Sequence, residues 1–254
     1  WAYTGGINIS RVYGSSSSFG RRSKAKDDGD NKDGWRDTQI ELAGPVVPVL
    51  AREFAAAWKD QGCIGELGAP PPPRAATPGQ RVVKVLASDP RDETNRIYTS
   101  LIQAVAASQR SVHLTMAYFA PGDEFAGALA DAARRGVAVE LVLPGKSDST
   151  LVLHAGRAYY TRLLDAGVRI HEMEHALMHA KTAVIDGVFS TVGSSNLDWR
   201  SLVDNHELNV IVLGDDFGRE MEAMFQRDRD ASAAIDAASW SIMAFATWSP
   251  ARPQ

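Results

Sequence analysis

The fold of this chain is decided by the stretch His179-Ala-Lys-Thr-Ala-Val-Ile-Asp-Gly-Val-Phe-Ser-Thr-Val-Gly-Ser-Ser-Asn196. Two apolar, β-branched runs lie on either side of Asp186-Gly187, a dipeptide typical of a tight turn between antiparallel strands. The pattern therefore predicts a hairpin with strands at 182–185 and 189–192.

Polar side chains at the open end of this hairpin suit a phosphodiester. Residues two apart on a strand point to the same side, so His179 and Lys181 present an imidazole and an ammonium to one point. Ser194 and Asn196 are also two apart and add neutral hydrogen-bond donors. The cation and the donors would stabilise phosphate oxygens, while the histidine attacks phosphorus or moves a proton. This set of groups requires no metal and no cofactor.

On either side of this hairpin, short runs of β-branched residues alternate along the chain with stretches of helical pattern. Further strands are expected at 38–42, 82–86, 112–116, 137–143, 168–171 and 207–213. Helices are expected at 46–59, 93–107, 125–135, 151–166 and 217–228. Such alternation predicts an α/β fold in which a mixed, mostly parallel β-sheet is flanked by helices.

Composition limits the class of protein. The chain has 254 residues, 44% of them apolar, and a net charge of −4, which argues against a non-specific nucleic-acid binder. Cys63 is the single cysteine, so no intrachain disulfide can form. No apolar run reaches the roughly 18–20 residues that cross a membrane. The tail 240–248 is too short to span one, although its tryptophans suit a membrane surface.

The spacing of the polar groups carries a resemblance. His-x-Lys, then Asp186 at the fifth place after Lys181, then Gly193-Ser-Ser-Asn196 resembles the His-Lys-Asp motif of the phospholipase D superfamily. Further runs are similar to bacterial cardiolipin synthases, and the resemblance spans nearly the whole chain. These runs include Tyr118-Phe-Ala-Pro121, Leu143-Pro-Gly-Lys-Ser-Asp148, Arg157-Ala-Tyr-Tyr160 and Asn196-Leu-Asp-Trp-Arg-Ser201.

The resemblance implies a phosphatidyltransferase that makes cardiolipin from phosphatidylglycerol through a phosphohistidine intermediate, at the bacterial cytoplasmic membrane. It also implies the site residues. The catalytic set is His179, Lys181, Asp186, Ser194, Asn196 and Glu207. The substrate-binding set is Asn8, Asp37, Tyr118, Asp148 and Arg157. Within these sets, Glu207 stands where the family has a carboxylate that orients a catalytic imidazole, and Asp186 is expected mainly to hold the turn.

The superfamily builds its site from two lobes, and the chain contains a partial internal repeat. Gly5-Gly-Ile-Asn8 matches Gly193-Ser-Ser-Asn196 at an offset of 188, and Asp37 matches Glu207. That offset places a first His-Lys-Asp motif before Trp1. We therefore expect a truncated first lobe at 1–70, a proline-rich linker at 71–80 and a second lobe at 81–254, with the missing first-motif half of the enzyme as a partner.

Three other functions remain open from the sequence. A hydrolase of the same superfamily would cut phospholipid or, less well supported, nucleic acid. A non-catalytic lipid-binding lobe would need no first motif. A zinc peptidase is suggested by His171-Glu-Met-Glu-His175, but that chemistry needs a helix, and the run follows a predicted strand.

Overall fold

The structure is a computed structural model that describes residues 1–8, 34–68 and 79–240. The expectations for most of the proline-rich linker and for the tail beyond Trp240 fall outside these residues.

The elements follow one another as strands and helices of an α/β protein. The strands are β1 (Ala2–Gly5), β2 (Trp35–Arg36), β3 (Gln39–Leu42), β4 (Val82–Ser88), β5 (Ser111–Met116), β6 (Ala138–Pro144), β7 (Arg169–Met173), β8 (Leu177–Met178), β9 (Lys181–Ile185), β10 (Phe189–Gly193), β11 (Glu207–Leu213) and β12 (Ala233–Ala234). The helices are α1 (Val47–Asp60), α2 (Arg96–Ala107), α3 (Gly122–Arg134), α4 (Thr150–Arg157), α5 (Tyr160–Asp165) and α6 (Asp215–Asp230), with a π-helical turn at Arg200–Asp204.

In the described part of the chain, eight strands form one sheet in the order β12-β7-β6-β5-β9-β10-β11-β4. The predicted α/β class is confirmed, but the mostly parallel sheet is wrong. Within this eight-stranded sheet, only the neighbours β5–β6 and β6–β7 run parallel, and the other neighbouring pairs of the sheet are antiparallel. Parallel neighbours need a crossover, which helices provide on either side of β6, whereas a short turn joins the antiparallel strands β9 and β10.

The sheet buries both of its faces. On one face, α2, α3 and α5 pack through side chains such as Leu101, Phe125 and Leu163. On the other face, β3, α1 and α6 cover β9, β10 and β11. The sequence predicted one helix over 151–166, but the chain bends between α4 and α5. Arg157, at the end of α4, and Tyr160, at the start of α5, both donate to the carboxylate of Glu172 on β7.

The pairing of β1 with β3 repeats the pairing of β10 with β11. β1 pairs antiparallel with β3, with Gly5 opposite Gln39, and β10 pairs antiparallel with β11, with Gly193 opposite Asn209. All four β1–β3 partners correspond to β10–β11 partners, 188 positions later on one strand and 170 on the other. The backbone bond that follows is repeated too, at 3.0 Å in both copies. The β1–β3 pair and the β10–β11 pair therefore have the same register.

A second, very short pairing positions the functional groups. β2 lies parallel to β8, so that Trp35 is opposite Leu177. The backbone N–H of His179 then donates to the carbonyl oxygen of Arg36 at 2.8 Å. Asp37, the next residue along the chain, is thereby brought beside His179.

Candidate active site

His179 lies between β8 and β9, and its ring is fixed by a distant carboxylate. Its Nδ1 is 2.8 Å from Oδ2 of Asp37, whose side chain is only 3% exposed. Because a carboxylate can only accept, Nδ1 carries the proton of this hydrogen bond, which leaves Nε2 as the nitrogen able to exchange a proton. We expected Asp37 to bind substrate, but in the structure its carboxylate binds the imidazole of His179.

Lys181 begins β9 and lies on the same side of the chain as His179. Its ammonium is buried and donates to the carbonyl oxygen of His179. Burial lowers the pKa of Lys181 to about 8, although the charges of Asp37 and Glu207 act in the opposite direction. The site therefore holds an ammonium group whose pKa lies only slightly above neutral pH.

Glu207, at the start of β11, is held by hydroxyl groups. Ser194 donates to one carboxylate oxygen, and Ser201 donates to the other at 2.7 Å. Burial raises the pKa of Glu207 despite these donors. The carboxylate that binds His179 is thus that of Asp37 and not that of Glu207, and Glu207 lines the same pocket as His179.

One pocket brings most of the predicted groups together. Its volume is about 390 Å³, and its polar lining suits a charged group. The lining residues are Gly6, Asn8, His179, Lys181, Ser194, Asn196, Asn205, His206 and Glu207. Oδ1 of Asn196 is buried there without a hydrogen-bond partner, while the backbone N–H of Asn196 is held by Ser201 at 3.2 Å. We refer to this set as the catalytic pocket.

Asp186 does not join the catalytic pocket. It lies in the turn at the opposite end of β9, with a positive φ of 53°. Its carboxylate accepts from the backbone N–H groups of Gln109, Arg110 and Ser111, which lowers its pKa against the effect of burial. Asp186 thus joins the hairpin to the start of β5, which fits the expected turn role and not a catalytic one.

The remaining predicted substrate-binding residues lie outside the walls of the catalytic pocket. Tyr118 donates to Asp148 at 2.6 Å, and the negative charge of Asp148 acts on Lys181. Arg157 makes a two-pronged ion pair with Glu172, at 2.9 and 2.7 Å. Arg157 therefore already has a buried anionic partner in this structure, and its contact with substrate stays a prediction.

The zinc-like run His171–His175 has the wrong local structure for a metalloprotease. His171 and Glu172 lie on β7, a strand, and Glu172 is bound to Arg157. Elsewhere among the described residues, Asp60, Asp89 and His206 could approach a metal ion together. The guanidinium of Arg91 already binds both of those carboxylates.

Comparison with known proteins places this geometry in a family. The family model described as "Cardiolipin synthase, PLD-like domain" matches residues 101–229. Cardiolipin synthase A of Yersinia pseudotuberculosis serotype O:1b (strain IP 31758) is 37% identical over 213 residues. The match covers 82% of this chain. The chain belongs to the cardiolipin synthase family of the phospholipase D superfamily.

Relatives with solved structures share the fold of this cardiolipin synthase family member. A phospholipase D family member, Nuc from Salmonella typhimurium, superposes with a TM-score of 0.52 at 18% identity, over 61% of this chain and 99% of that one. NucT from Helicobacter pylori gives 0.52 at 16% identity, over 61% and 100%. The chain spans 43% of the length of the cardiolipin synthases A that it matches. None of the described helices is long and apolar enough to cross a membrane.

Sequence reasoning missed three residues that shape this family's pocket here. Ser201 is fully buried and bridges Asn196 to Glu207. Gly6 lies so close to Asp37 that a Cβ atom would be 2.1 Å from Oδ1 of that carboxylate. Trp35 places its ring centroid 4.9 Å from that of His179. The sequence offered a signal for two of them, because Ser201 ends the run Asn196–Ser201 and Gly6 lies in the repeated run Gly5–Asn8.

Proposed function

We propose that this chain forms part of the active site of a phosphatidyltransferase, which joins two phosphatidylglycerol molecules to make cardiolipin. The observation that carries the proposal is the catalytic pocket. The imidazole of His179, held by a carboxylate, the buried ammonium of Lys181 and the amide of Asn196 line this pocket. These groups can bind and react with a phosphodiester.

The reaction proceeds in two displacements. A histidine from a first His-x-Lys motif attacks phosphorus, and a P–N bond forms as the P–O bond to glycerol breaks. Nε2 of His179 gives its proton to the departing glycerol oxygen. It then takes the proton of the incoming hydroxyl of a second phosphatidylglycerol, whose oxygen displaces the first histidine. Lys181 and the neutral donors stabilise the charge on the phosphate oxygens. The roles of the two histidines are interchangeable in this scheme.

The domain organisation is part of the proposal. Residues 1–70 are the remainder of a first lobe, 71–80 a linker and 81–254 the second lobe. The β1–β3 pair and the β10–β11 pair have the same register, which supports this repeat. Because Asp37 of the first lobe holds His179 of the second, the pseudo-twofold relation assigns Glu207 to hold the histidine of the first motif.

The partners follow from this chemistry. Both substrates are anionic phospholipids, so the enzyme works at the surface of the bacterial cytoplasmic membrane. The names of the relatives, cardiolipin synthases A of Yersinia, support this substrate class. Nucleic acid is not expected as a substrate, given the net charge of −4.

The test uses the enzyme that contains this chain together with a first motif, on vesicles of phosphatidylglycerol. We expect His179→Ala and Lys181→Ala each to lower cardiolipin formation about 10²–10⁴-fold, the usual cost of losing an acid–base or charge-stabilising group. Lys84→Ala, at an exposed lysine of β4, is the matched control. Excess chelator should leave the rate unchanged.

Other results would contradict the proposal. Near wild-type turnover of either site variant would remove His179 or Lys181 from the mechanism. Phosphatidic acid as the sole product, even with excess phosphatidylglycerol as acceptor, would make the enzyme a phospholipase D. Lipid binding without any turnover would make the chain a non-catalytic lobe.

A further inference from the structure

A side-chain bridge connects helix α6 to the residues that contact His179. The guanidinium of Arg36 makes two parallel contacts with Asp228, each 2.7 Å long. Its remaining nitrogen donates to the carbonyl oxygen of Asp37 and to Oγ1 of Thr38. One guanidinium thus holds the end of α6 and the peptide that carries the Asp37 carboxylate.

The position of Asp228 indicates that this bridge is not incidental. Asp228 lies in the last turn of α6, where the helix dipole disfavours a negative charge. Its side chain is only 7% exposed, so an unpaired carboxylate there would be costly. Arg36 offsets both effects through a planar two-pronged contact, which a lysine cannot reproduce.

The segment that Arg36 fixes contacts His179 in three ways. Trp35 packs its ring against the imidazole, Arg36 accepts the backbone N–H of His179, and Asp37 binds Nδ1. β2 is only two residues long, so its ladder bonds alone give this segment little rigidity. The Arg36 bridge adds a fixed point on α6, a helix that also packs against β9 and β10.

We propose that Arg36 and Asp228 form a positioning pair, which holds the Asp37 carboxylate on Nδ1 of His179 and thereby fixes the tautomer that leaves Nε2 for proton transfer. The pair touches no substrate and acts through Asp37. Its catalytic consequence rests on the proposed function. Its effect on the imidazole does not.

The first measurement is the ¹⁵N NMR signal of the His179 ring in the 254-residue chain, assigned by its loss in His179→Ala. We expect the neutral form of the wild-type ring to be a single tautomer, with the proton on Nδ1. Arg36→Gln and Asp228→Asn should shift the signal toward a mixture of tautomers, and Arg36→Lys should do so less. Arg81→Gln is the matched control, since Arg81 also binds two carboxylates of α6, Asp216 and Glu220, on the surface.

The second measurement is turnover by the enzyme that contains the chain and a first motif. We expect Arg36→Gln and Asp228→Asn to lower kcat about 10²-fold, the scale of a misplaced catalytic group, with KM little changed. The Arg81→Gln variant should retain wild-type kcat. A thermal melt of each variant shows whether it is folded, and Asp228→Asn, which keeps the shape of the side chain, covers the case in which Arg36→Gln unfolds.

The outcomes separate the two proposals. Unchanged ring signals in the folded Arg36 and Asp228 variants would overturn the positioning role. So would an equal shift in Arg81→Gln, because the effect would then be general. If the wild-type enzyme transfers no phosphatidyl group, the proposed function fails, while the ring signals still decide the positioning role.

Discussion

At the scale of single residues, Lys181 combines burial with a charge that the site needs. Its pKa is lowered to about 8, chiefly by burial. Its ammonium is lost as the pH rises through that value, so we expect kcat/KM, which reports on the free enzyme, to fall above about pH 8. The measurement is a pH–rate profile with phosphatidylglycerol vesicles.

A substitution that cannot lose its proton is the control for this prediction. The residual activity of Lys181→Arg should show no such decline, because a guanidinium stays charged throughout that range. A wild-type profile that stays flat to about pH 10, or the same decline in Lys181→Arg, would contradict the assignment of the titration to Lys181.

Asp186 is also a single-residue case, but its effect should be on stability. We expect Asp186→Asn to lower the free energy of unfolding by about 2 kcal/mol, because a carboxylate that accepts several backbone N–H groups becomes a neutral amide. Asparagine tolerates the positive φ of 53°, so the turn itself is kept. Denaturant unfolding measures the difference, and Asp215→Asn, in an exposed ion pair, is the control.

The pH dependence of this effect has a definite sign. The pKa of Asp186 is lowered in the folded chain, so its stabilisation is present above its ordinary pKa near 4 and is lost as the pH falls through the folded value. The gap between wild type and variant should therefore narrow in acid. A gap that widens in acid, or a large loss of turnover in the folded variant, would restore a catalytic role to Asp186.

At the scale of elements, one ion pair joins α4 to β7. Arg157 binds Glu172, whose side chain is 5% exposed. We expect Arg157→Met to destabilise the protein by about 3 kcal/mol, because it leaves a buried carboxylate without its cation. The measurement is denaturant unfolding, together with KM for phosphatidylglycerol, which should not change.

Two companion variants test this interpretation. Arg162→Met removes a pair whose carboxylate, on Asp123, is 92% exposed, so it should cost less than about 1 kcal/mol. Replacing Glu172 by Leu in the Arg157→Met background should recover part of the lost stability. A raised KM with unchanged stability in Arg157→Met would instead support the predicted contact of Arg157 with substrate.

Elements also show how far local patterns reach. The Asp186-Gly187 hairpin is found as predicted, because turn residues and period-two alternation act over neighbouring residues. The sequence did not predict β2 and β8, since a strand of two residues is too short to show an alternating pattern of apolar and polar residues. The prediction of a mostly parallel sheet was wrong, because the path of each connection decides whether neighbouring strands run parallel or antiparallel. The pattern of residues within a strand does not contain this information.

At the scale of the whole molecule, the proposal requires two histidines at one phosphorus. The printed sequence contains one His-x-Lys-x4-Asp motif, so we expect the 254-residue chain alone to form no cardiolipin. Protein that carries a first motif, supplied in trans, should restore the activity. The assay follows cardiolipin formation and phosphatidic acid release over a series of chain concentrations.

A homodimer is the alternative for the isolated chain. Two copies of His179 could then act as nucleophile and acid. Gly6 and Asn8 already line the catalytic pocket and Asp37 already binds His179, which argues against that pairing. Activity that grows with the dimer content would contradict the prediction and give His179 both roles, one in each subunit.

The sequence by itself determined the α/β class, the family resemblance and the shared side of His179 and Lys181, because each depends on residues that are close along the chain. Only the tertiary structure decided which carboxylate holds the imidazole, since Asp37 and His179 are 142 positions apart. It also assigned Arg157 to Glu172 and Arg36 to Asp228. A carboxylate and its partner are chosen by proximity in a folded, poorly solvated interior, where an unpaired charge is costly, and no local pattern encodes that distance.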